Sequence, residues 1–559
     1  VPARRRRRAR KASARLVERR VGLLFAVFLL MLSAAVLRAG YLFAFKGGEL
    51  KQLAATQQLE NTTLPASRGT IYDRHGRELA VSEAAATVYA NPFLIKDPVR
   101  TAHRLAPLLG QPVEKLATTL ADRRRGFVFL ERKLNARQGV RIARLEIEGI
   151  GVLDDARRHY PEDALASQVI GTVGIDNVGL SGLEQALDET LRGTDGKRRV
   201  VKDALGEAVS LDQIRRVRSG DDVRLTLDSS LQGQAEKVLA EVGQTFRPRD
   251  ATAIVMDPRS GEILAMACWP RVNANAVEQA PPWARANRAI GFTYEPGSTF
   301  KSITVAAALE EGVVGADTVF EVGPQIQVAD RVIKEAHGSG GNLTVARILA
   351  QSSNVGAVKI GLKLGAERFD RWVRRFGFAR QTGVPLPGES GGIVPDVDDY
   401  SGSSMGNLPI GQGLAVTPLQ LVAAYAAIAN GGRLVKPRLV LGDSDASLGP
   451  RVITKRTALR LQRMLEGVLA PDGTAPEAAV PGYDIAGKTG TAEKPEKGGY
   501  SESRYVASFI GFAPARDARL LVAVVVDEPG GVRSGGEVAA PAFEKIASFA
   551  LPYLGIAPK

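Results

Sequence analysis

From Val21 to Leu37 the chain carries no charged side chain, and after Arg38 the apolar run resumes from Ala39 to Phe45. A helix needs about 20 apolar residues to cross a bilayer core, so residues 21–45 are expected to form a transmembrane helix. The stretch outruns the apolar part of a cleavable signal peptide. Hydrophobicity also continues past Ser33-Ala34-Ala35, which favours an uncleaved anchor. Arg38, near the outer end, is expected either to snorkel to the headgroups or to face a partner helix.

Beyond the apolar segment the pattern turns polar. Residues 46–64 read as a juxtamembrane connector, with the helix continuing from Glu49-Leu50 to Gln58-Leu59. From Arg68 the pattern is strand, His75-Gly76 turn and strand through Val81. Residues 92–145 read as short amphipathic helices, and a Gly-rich stretch, 171–182, leads into a helix over Leu183–Leu187. Val223–Leu227 alternates as a strand, and Asp228-Ser229-Ser230 offers caps for a helix through Leu239. Ala251–Met256 and Glu262–Ala267 then read as strands joined by a turn containing Pro258 and Gly261. Strands are expected again at Asp484–Lys488, Tyr505–Gly511 and Leu520–Val526, with a helix from about Pro541 to Phe549. Strands at both ends with helices between them predict one α+β domain. The expected domains are a basic tail (1–20), the transmembrane helix (21–45), the connector (46–64), a first mixed α/β unit (65–246) and a second unit (247–559).

Charge changes the picture less than its total suggests. Of the net +14, nine positive charges lie within residues 1–20, where ten Lys or Arg face only Glu18. A nucleic-acid partner is therefore not expected. Arg-rich flanks stay cytoplasmic, which puts everything after about residue 46 outside. Cys268 stands alone, so no intramolecular disulfide can form, and it reads as a buried small hydrophobe. Four histidines and one cysteine offer no metal-ligand spacing, and neither a metal nor another cofactor is expected.

Three short motifs each occur once, in order: Ser298-Thr299-Phe300-Lys301, Ser352-Ser353-Asn354 and Lys488-Thr489-Gly490. Glu295-Pro296-Gly297 ends a loop before Ser298, so the serine should open a helix with Lys301 one turn later on the same face. An alcohol becomes a nucleophile when a nearby base takes its proton, and a lysine serves if its surroundings lower its pKa. Ser352 offers a hydroxyl for proton relay, and Asn354 an amide for holding a substrate. Lys488 gives fixed positive charge, while Thr489 and Thr491 offer hydroxyls to a carboxylate. Gly490 is expected to let a substrate backbone lie against the strand edge. Singly, each motif reads as readily as a cap, a turn or a guarded edge strand. Together they are the signature of active-site-serine acyl transfer.

On these motifs the chain resembles the class B penicillin-binding proteins, the monofunctional peptidoglycan D,D-transpeptidases. The resemblance runs from the membrane segment almost to the C-terminus. It is carried further by Asp257-Pro258, Gly411-Gln412-Gly413, Thr417-Pro418-Leu419-Gln420 and Gly535-Gly536. Arg68-Gly69, Asp73-Arg74 and Gly76, with Gly179 to Glu184, resemble the family's pedestal motifs. No stretch between membrane segment and pedestal could hold the glycosyltransferase domain of class A relatives.

The resemblance implies a serine β-lactamase/transpeptidase-like domain, an antiparallel sheet flanked by helices, behind a pedestal (dimerisation-like) domain. It implies Ser298 as acylated nucleophile, Lys301 as general base, Ser352 in proton transfer and Asn354 on the substrate. Lys488, Thr489 and Thr491 would bind the terminal carboxylate, with the backbone N–H groups of Ser298 and Thr491 as oxyanion hole. The substrates would be stem peptides ending in D-Ala-D-Ala, and β-lactams would acylate Ser298. Tyr294 to Lys301 look most like the division-specific, penicillin-binding protein 3 type, which would pair with a polytopic membrane glycosyltransferase and other divisome proteins. An elongation-type enzyme is the alternative. A D,D-carboxypeptidase, β-lactamase or β-lactam sensor is more distant. A sensor would need a signalling domain on the inner side, where the Arg-rich tail is not expected to suffice.

Overall fold

The computed structural model describes residues 3–45, 59–202, 208–335, 340–442, 449–496 and 499–559. By its internal packing the chain divides into two units, Val1–Pro65 with Asp195–Arg218, and Ala66–Thr194 with Ser219–Lys559.

In the first unit a helix runs from Ala3 to Phe45 and so includes the Arg-rich tail. Its stretch Arg20–Tyr41 is long and apolar enough to cross a membrane. The Arg38 guanidinium lies over the Tyr41 ring, 5.9 Å from its centre. The helix expected over residues 49–59 falls almost wholly outside the described residues. Leu59, however, begins a strand, Leu59–Leu64, so the end of the expected connector is sheet. That strand pairs with Gly196–Lys202, which also pairs with Ala208–Arg215, all antiparallel. The partners stand more than 130 residues apart, and local pattern carries no trace of such a pairing.

In the second unit the residues up to Thr194 are built on one long strand, Glu78–Ala90. It takes Val128–Asn135 on one side and Ile150–His159 on the other. Its first residues pair with Ile71–Tyr72, which runs parallel to Val223–Arg224. Helices Pro98–Leu109 and Val113–Ala121 bring Leu105, Leu109, Leu116 and Leu120 into a core with Val88, Ile95 and Leu130. Val128–Asn135 corrects the all-helical reading of 92–145. Its charged Glu131, Arg132 and Lys133 mimic a helix surface but belong to an edge strand.

The two pedestal motifs are halves of one buried network. Arg68 donates to Glu184 Oε2 (2.5 Å), to the Glu184 carbonyl (2.5 Å) and to Asp188 (2.6 Å). Arg158 donates to the other Glu184 oxygen (2.6 Å) and to the Gly69 carbonyl (2.8 Å). Asp73 accepts from the N–H groups of His75 and Arg77, and from the Ser229 hydroxyl at 2.7 Å. Asp73 thereby ties the turn after the first strand to the helix Ser229–Phe246, which Asp228 caps.

The remainder forms a five-stranded antiparallel sheet in the order Ile263–Trp269, Asp250–Met256, Leu520–Asp527, Gly499–Ala513, Ala486–Glu496. Strands Asp250–Met256 and Leu520–Asp527 are buried along their length and, apart from Thr252 and the aspartates at their ends, apolar, as strands covered on both faces are. Helices Ser229–Phe246 and Gly535–Tyr553 cover the sheet on one side, and Pro418–Ala429 packs against it as part of the helical layer. Lys301–Glu310 is buried almost all round within that layer, next to Asn354–Leu364 and Lys455–Glu466. The edge strand Ala486–Glu496 faces the turn that carries Ser298.

Candidate active site

Ser298 lies in a 3₁₀ turn, Gly297–Phe300, that runs into the helix Lys301–Glu310. In such a turn residues three apart eclipse, which stacks Lys301 beneath the serine more directly than an α-turn would. Gly297 has φ of 55°, and a Cβ there would stand 2.9 Å from the Thr491 carbonyl oxygen. Only glycine accepts both that dihedral and that approach. The turn is held from behind by Tyr425, whose hydroxyl donates to the Thr299 carbonyl at 2.7 Å and lies 2.8 Å from Ser302 Oγ.

Lys301 is buried, and its Nζ donates to the Ser352 carbonyl (2.5 Å), Asn354 Oδ1 (2.7 Å) and Ser352 Oγ (3.2 Å). Lys488, equally buried, donates to the same Ser352 Oγ at 2.9 Å and to the Thr489 carbonyl and hydroxyl, both at 3.2 Å. Ser352 holds this position with φ of 58°. That is left-handed backbone for a residue with a side chain, a strain of about 1–3 kcal/mol. Among the described residues the Ser298 hydroxyl makes no hydrogen bond, and it lies in the 3₁₀ turn that leads into Lys301.

Burial drives the electrostatics. Loss of water pushes the Lys301 amine down to about 7, and the nearby Glu335 carboxylate opposes the fall. Lys488 is pushed well below the ordinary lysine range, first by burial and then by the charge of Lys301. Glu335 itself sits on the start of the helix Asn354–Leu364. It accepts from the Ser353 hydroxyl (2.7 Å) and from the N–H groups of Asn354 (3.1 Å) and Val355 (2.8 Å). The Asn354 amide is fixed at both ends, its nitrogen donating to the Lys334 carbonyl at 3.0 Å.

On the edge strand, Thr489 Oγ1 lies 2.8 Å from Thr474 Oγ1, and Thr491 Oγ1 accepts from Gly535 N at 3.1 Å. Gly490 has a packing reason in addition to the expected one. A Cβ there would meet Ser508 Oγ at 2.3 Å, Thr299 Cγ2 at 2.9 Å and the Pro296 carbonyl at 3.0 Å. Its missing side chain makes room for the turn that carries Ser298. Hydrogen bonds thus join Lys301, Ser352, Asn354, Lys488 and Thr489, and close backbone approaches set Gly490 and Thr491 against the turn that carries Ser298.

Glu335, Tyr425 and Thr474 escaped the sequence reading. Tyr425 did leave a signal, a lone phenol in the Ala-rich helix Pro418–Ala429 that needs a hydrogen-bond partner when buried. Glu335 and Thr474 lie at loop positions with no pattern of their own. Among the described residues no cluster of His, Cys, Asp or Glu is arranged to hold a metal ion.

Two family descriptions match the chain: the penicillin binding protein transpeptidase domain over residues 251–548, and the penicillin-binding protein dimerisation domain over residues 63–225. Stage V sporulation protein D of Bacillus subtilis is 35% identical over 545 residues, covering 93% of this chain and 84% of the relative. Peptidoglycan D,D-transpeptidase FtsI of Escherichia coli is 31% identical, covering 98% and 93%. Among solved structures, penicillin binding protein 3 of Mycobacterium tuberculosis, complexed with aztreonam, superposes with a TM-score of 0.69 at 30% identity. The match covers 89% of this chain and 98% of that one.

Proposed function

The chain belongs to the class B penicillin-binding proteins and is a serine-type peptidoglycan D,D-transpeptidase, and from that premise we propose how its residues divide the work. The observation that carries the proposal is the convergence of two buried lysines on Ser352, one of them Lys301, the residue into which the 3₁₀ turn bearing the unbonded Ser298 hydroxyl runs. Neutral Lys301 takes the proton as Ser298 Oγ attacks the carbonyl of the penultimate D-Ala. The backbone N–H groups of Ser298 and Thr491 receive the negative charge that develops on the carbonyl oxygen. As the C–N bond breaks, the proton passes from Lys301 through Ser352 to the departing D-Ala amine. Lys488 and Thr489, with Thr491, hold the terminal carboxylate, and Asn354 holds the substrate amide. A second stem's amine then attacks the ester and forms the crosslink. β-Lactams, mimics of the dipeptide, acylate Ser298 in the same way, as the aztreonam complex of the mycobacterial relative supports.

The apolar stretch Arg20–Tyr41 anchors the chain once in the plasma membrane. The basic tail is cytoplasmic and the catalytic part outside. The enzyme works in septal wall synthesis beside a polytopic glycosyltransferase, a reading that rests on likeness to the penicillin-binding protein 3 type. Labelling with a fluorescent penicillin tests the site. Wild type is labelled stably and Ser298→Ala is not, whereas label persisting on Ser298→Ala places the nucleophile elsewhere. Depletion in the host tests the role: filaments without septa support division, and rounded, swollen cells support elongation.

A further inference from the structure

A cavity of about 510 Å³ lies outside the catalytic cleft and shares no residue with it. Arg158 and Tyr160 line it, and both are more than nine-tenths buried. As alternate residues at the end of the strand Ile150–His159, with the less buried His159 between them, they fall on one face. Arg158 uses Nε and Nη1 on Glu184 and the Gly69 carbonyl, but among the described residues its Nη2 has no hydrogen-bond partner. The Tyr160 hydroxyl has none either: the Val173 N–H acts on it from nearby without a hydrogen bond of normal geometry. Burial, and then the Glu184 charge, push this phenol up, so it keeps its proton and can donate it. Buried donors without acceptors are costly, and a ligand oxygen entering the cavity would satisfy them. Lys133 and Arg157 also line the cavity, but each is already paired, with Asp155 (2.7 Å) and Glu83 (2.8 Å).

Two carboxylates on the exposed rim have the opposite need. Asp163 Oδ1 accepts from the side-chain amides of Asn275 (2.9 Å) and Asn273 (3.4 Å), and among the described residues no cation pairs with Asp163 or Glu278. A ligand that answers both ends carries a carboxylate and an ammonium group. It also touches two domains, since Arg158, Tyr160 and Asp163 lie in the matched dimerisation domain and Glu278 in the transpeptidase domain. Tyr160 and Asn275 fasten the domains together here, Tyr160 N donating to Asn275 Oδ1 (3.0 Å) and Asn275 Nδ2 to the Tyr160 carbonyl (2.8 Å). Among the molecules that a peptidoglycan transpeptidase meets, the stem peptide has both charges. Its chain ends in a carboxylate, and crosslinking between like stems requires each to carry an amine as well.

We propose that this cavity is a second, non-catalytic site for an uncrosslinked stem peptide, its carboxylate on Arg158 and Tyr160 and its amine towards Asp163 and Glu278. The inference rests on the chain's family and on none of the catalytic roles assigned above. Its test is a ligand-observed NMR titration of the full-length protein, its cleft first acylated with penicillin and unbound drug removed. The probes are Nα-acetyl-Lys-D-Ala, its C-terminal amide and its Nε-acetyl form. Wild type is expected to bind the free acid saturably and each capped form about tenfold more weakly. Tyr160→Phe is expected to weaken the free acid about fivefold without lowering the melting temperature, because the hydroxyl has no partner in the fold to lose. In the exposed Glu278→Gln the preference for the free amine over the Nε-acetyl form is expected to fall about threefold. No saturable binding to wild type, equal affinity for acid and amide, or an affinity unchanged in Tyr160→Phe overturns the site. A lower melting temperature in Tyr160→Phe also overturns it, by showing that the fold already uses the hydroxyl. A protein that penicillin fails to acylate overturns the acyl-transfer reading instead, and the same titration on Ser298→Ala then decides the site.

Discussion

Two pairs of buried cations invite comparison: Arg68 with Arg158 in the pedestal, and Lys301 with Lys488 in the cleft. All four side chains are almost fully withdrawn from water. The arginines share the buried carboxylate of Glu184, and Arg68 reaches Asp188 as well. The lysines find only neutral oxygens, those of Ser352, Asn354 and Thr489, with Glu335 acting from a distance. Charge that is buried and paired holds a fold together, whereas charge that is buried and unpaired gives up its proton. The pedestal uses its cations as structure, whereas in the proposed mechanism the cleft uses Lys301 as base and Lys488 to hold the substrate carboxylate.

Breaking each pair should therefore have opposite consequences. Lys301→Ala is expected to lower the acylation rate by about 10²–10⁴-fold, the contribution of a positioned base, with little loss of thermal stability. Penicillin-labelling kinetics and a thermal melt on the same sample check both halves. Glu184→Gln should do the reverse. It leaves two guanidinium groups buried without their shared carboxylate, a loss of about 3–5 kcal/mol, with the acylation rate per folded molecule unchanged. A melt that stays put would show that the pedestal network does not carry its charge as described.

Subtler changes sharpen the contrast. Tyr425→Phe leaves the Thr299 carbonyl and Ser302 without their partner at a cost of about 1–3 kcal/mol. Because that turn carries Ser298, acylation should slow about five- to tenfold, and an unchanged rate would free Tyr425 from any positioning role. Glu335→Gln should have the smallest effect. The Glu335 charge favours the protonated Lys301, so removing it should move the midpoint of the acylation pH profile downward by less than one unit. An upward move would reverse the assignment.

How far the sequence could lead differs between the same two regions. Ala251–Met256 and Leu520–Val526 were legible as strands because continuous apolar runs ending at Pro, Gly or Asp leave few other readings. The three motifs were legible because acyl transfer needs serine, amine and amide groups at fixed places on a helix, a turn and a strand. The pedestal and the connector before it were harder. Val128–Asn135 carries its charges on an edge, and Leu59–Leu64 finds its partner far away in sequence. Arg68 and Glu184 each stood out, but 116 residues separate them, and nothing local announces that they meet. Gly490 shows a second reason that no motif announces, the turn packed behind it, which leaves no room for a side chain. Glu335 and Thr474 act through tertiary position alone.

The linked titration follows from the same burial. The unfolded chain holds the Lys301 proton up to about pH 10.5, and the folded chain releases it near 7. Unfolding therefore takes up a proton between those values, and raising the pH through that window stabilises the fold. Catalysis reads the same proton more directly. The second-order rate of acylation by a fluorescent penicillin, measured from pH 5.5 to 9, should rise about tenfold per unit below pH 7 and level above it, as neutral Lys301 accumulates. A rate independent of pH across this range, or one still climbing at pH 9, would contradict a buried, unpaired Lys301 acting as the base.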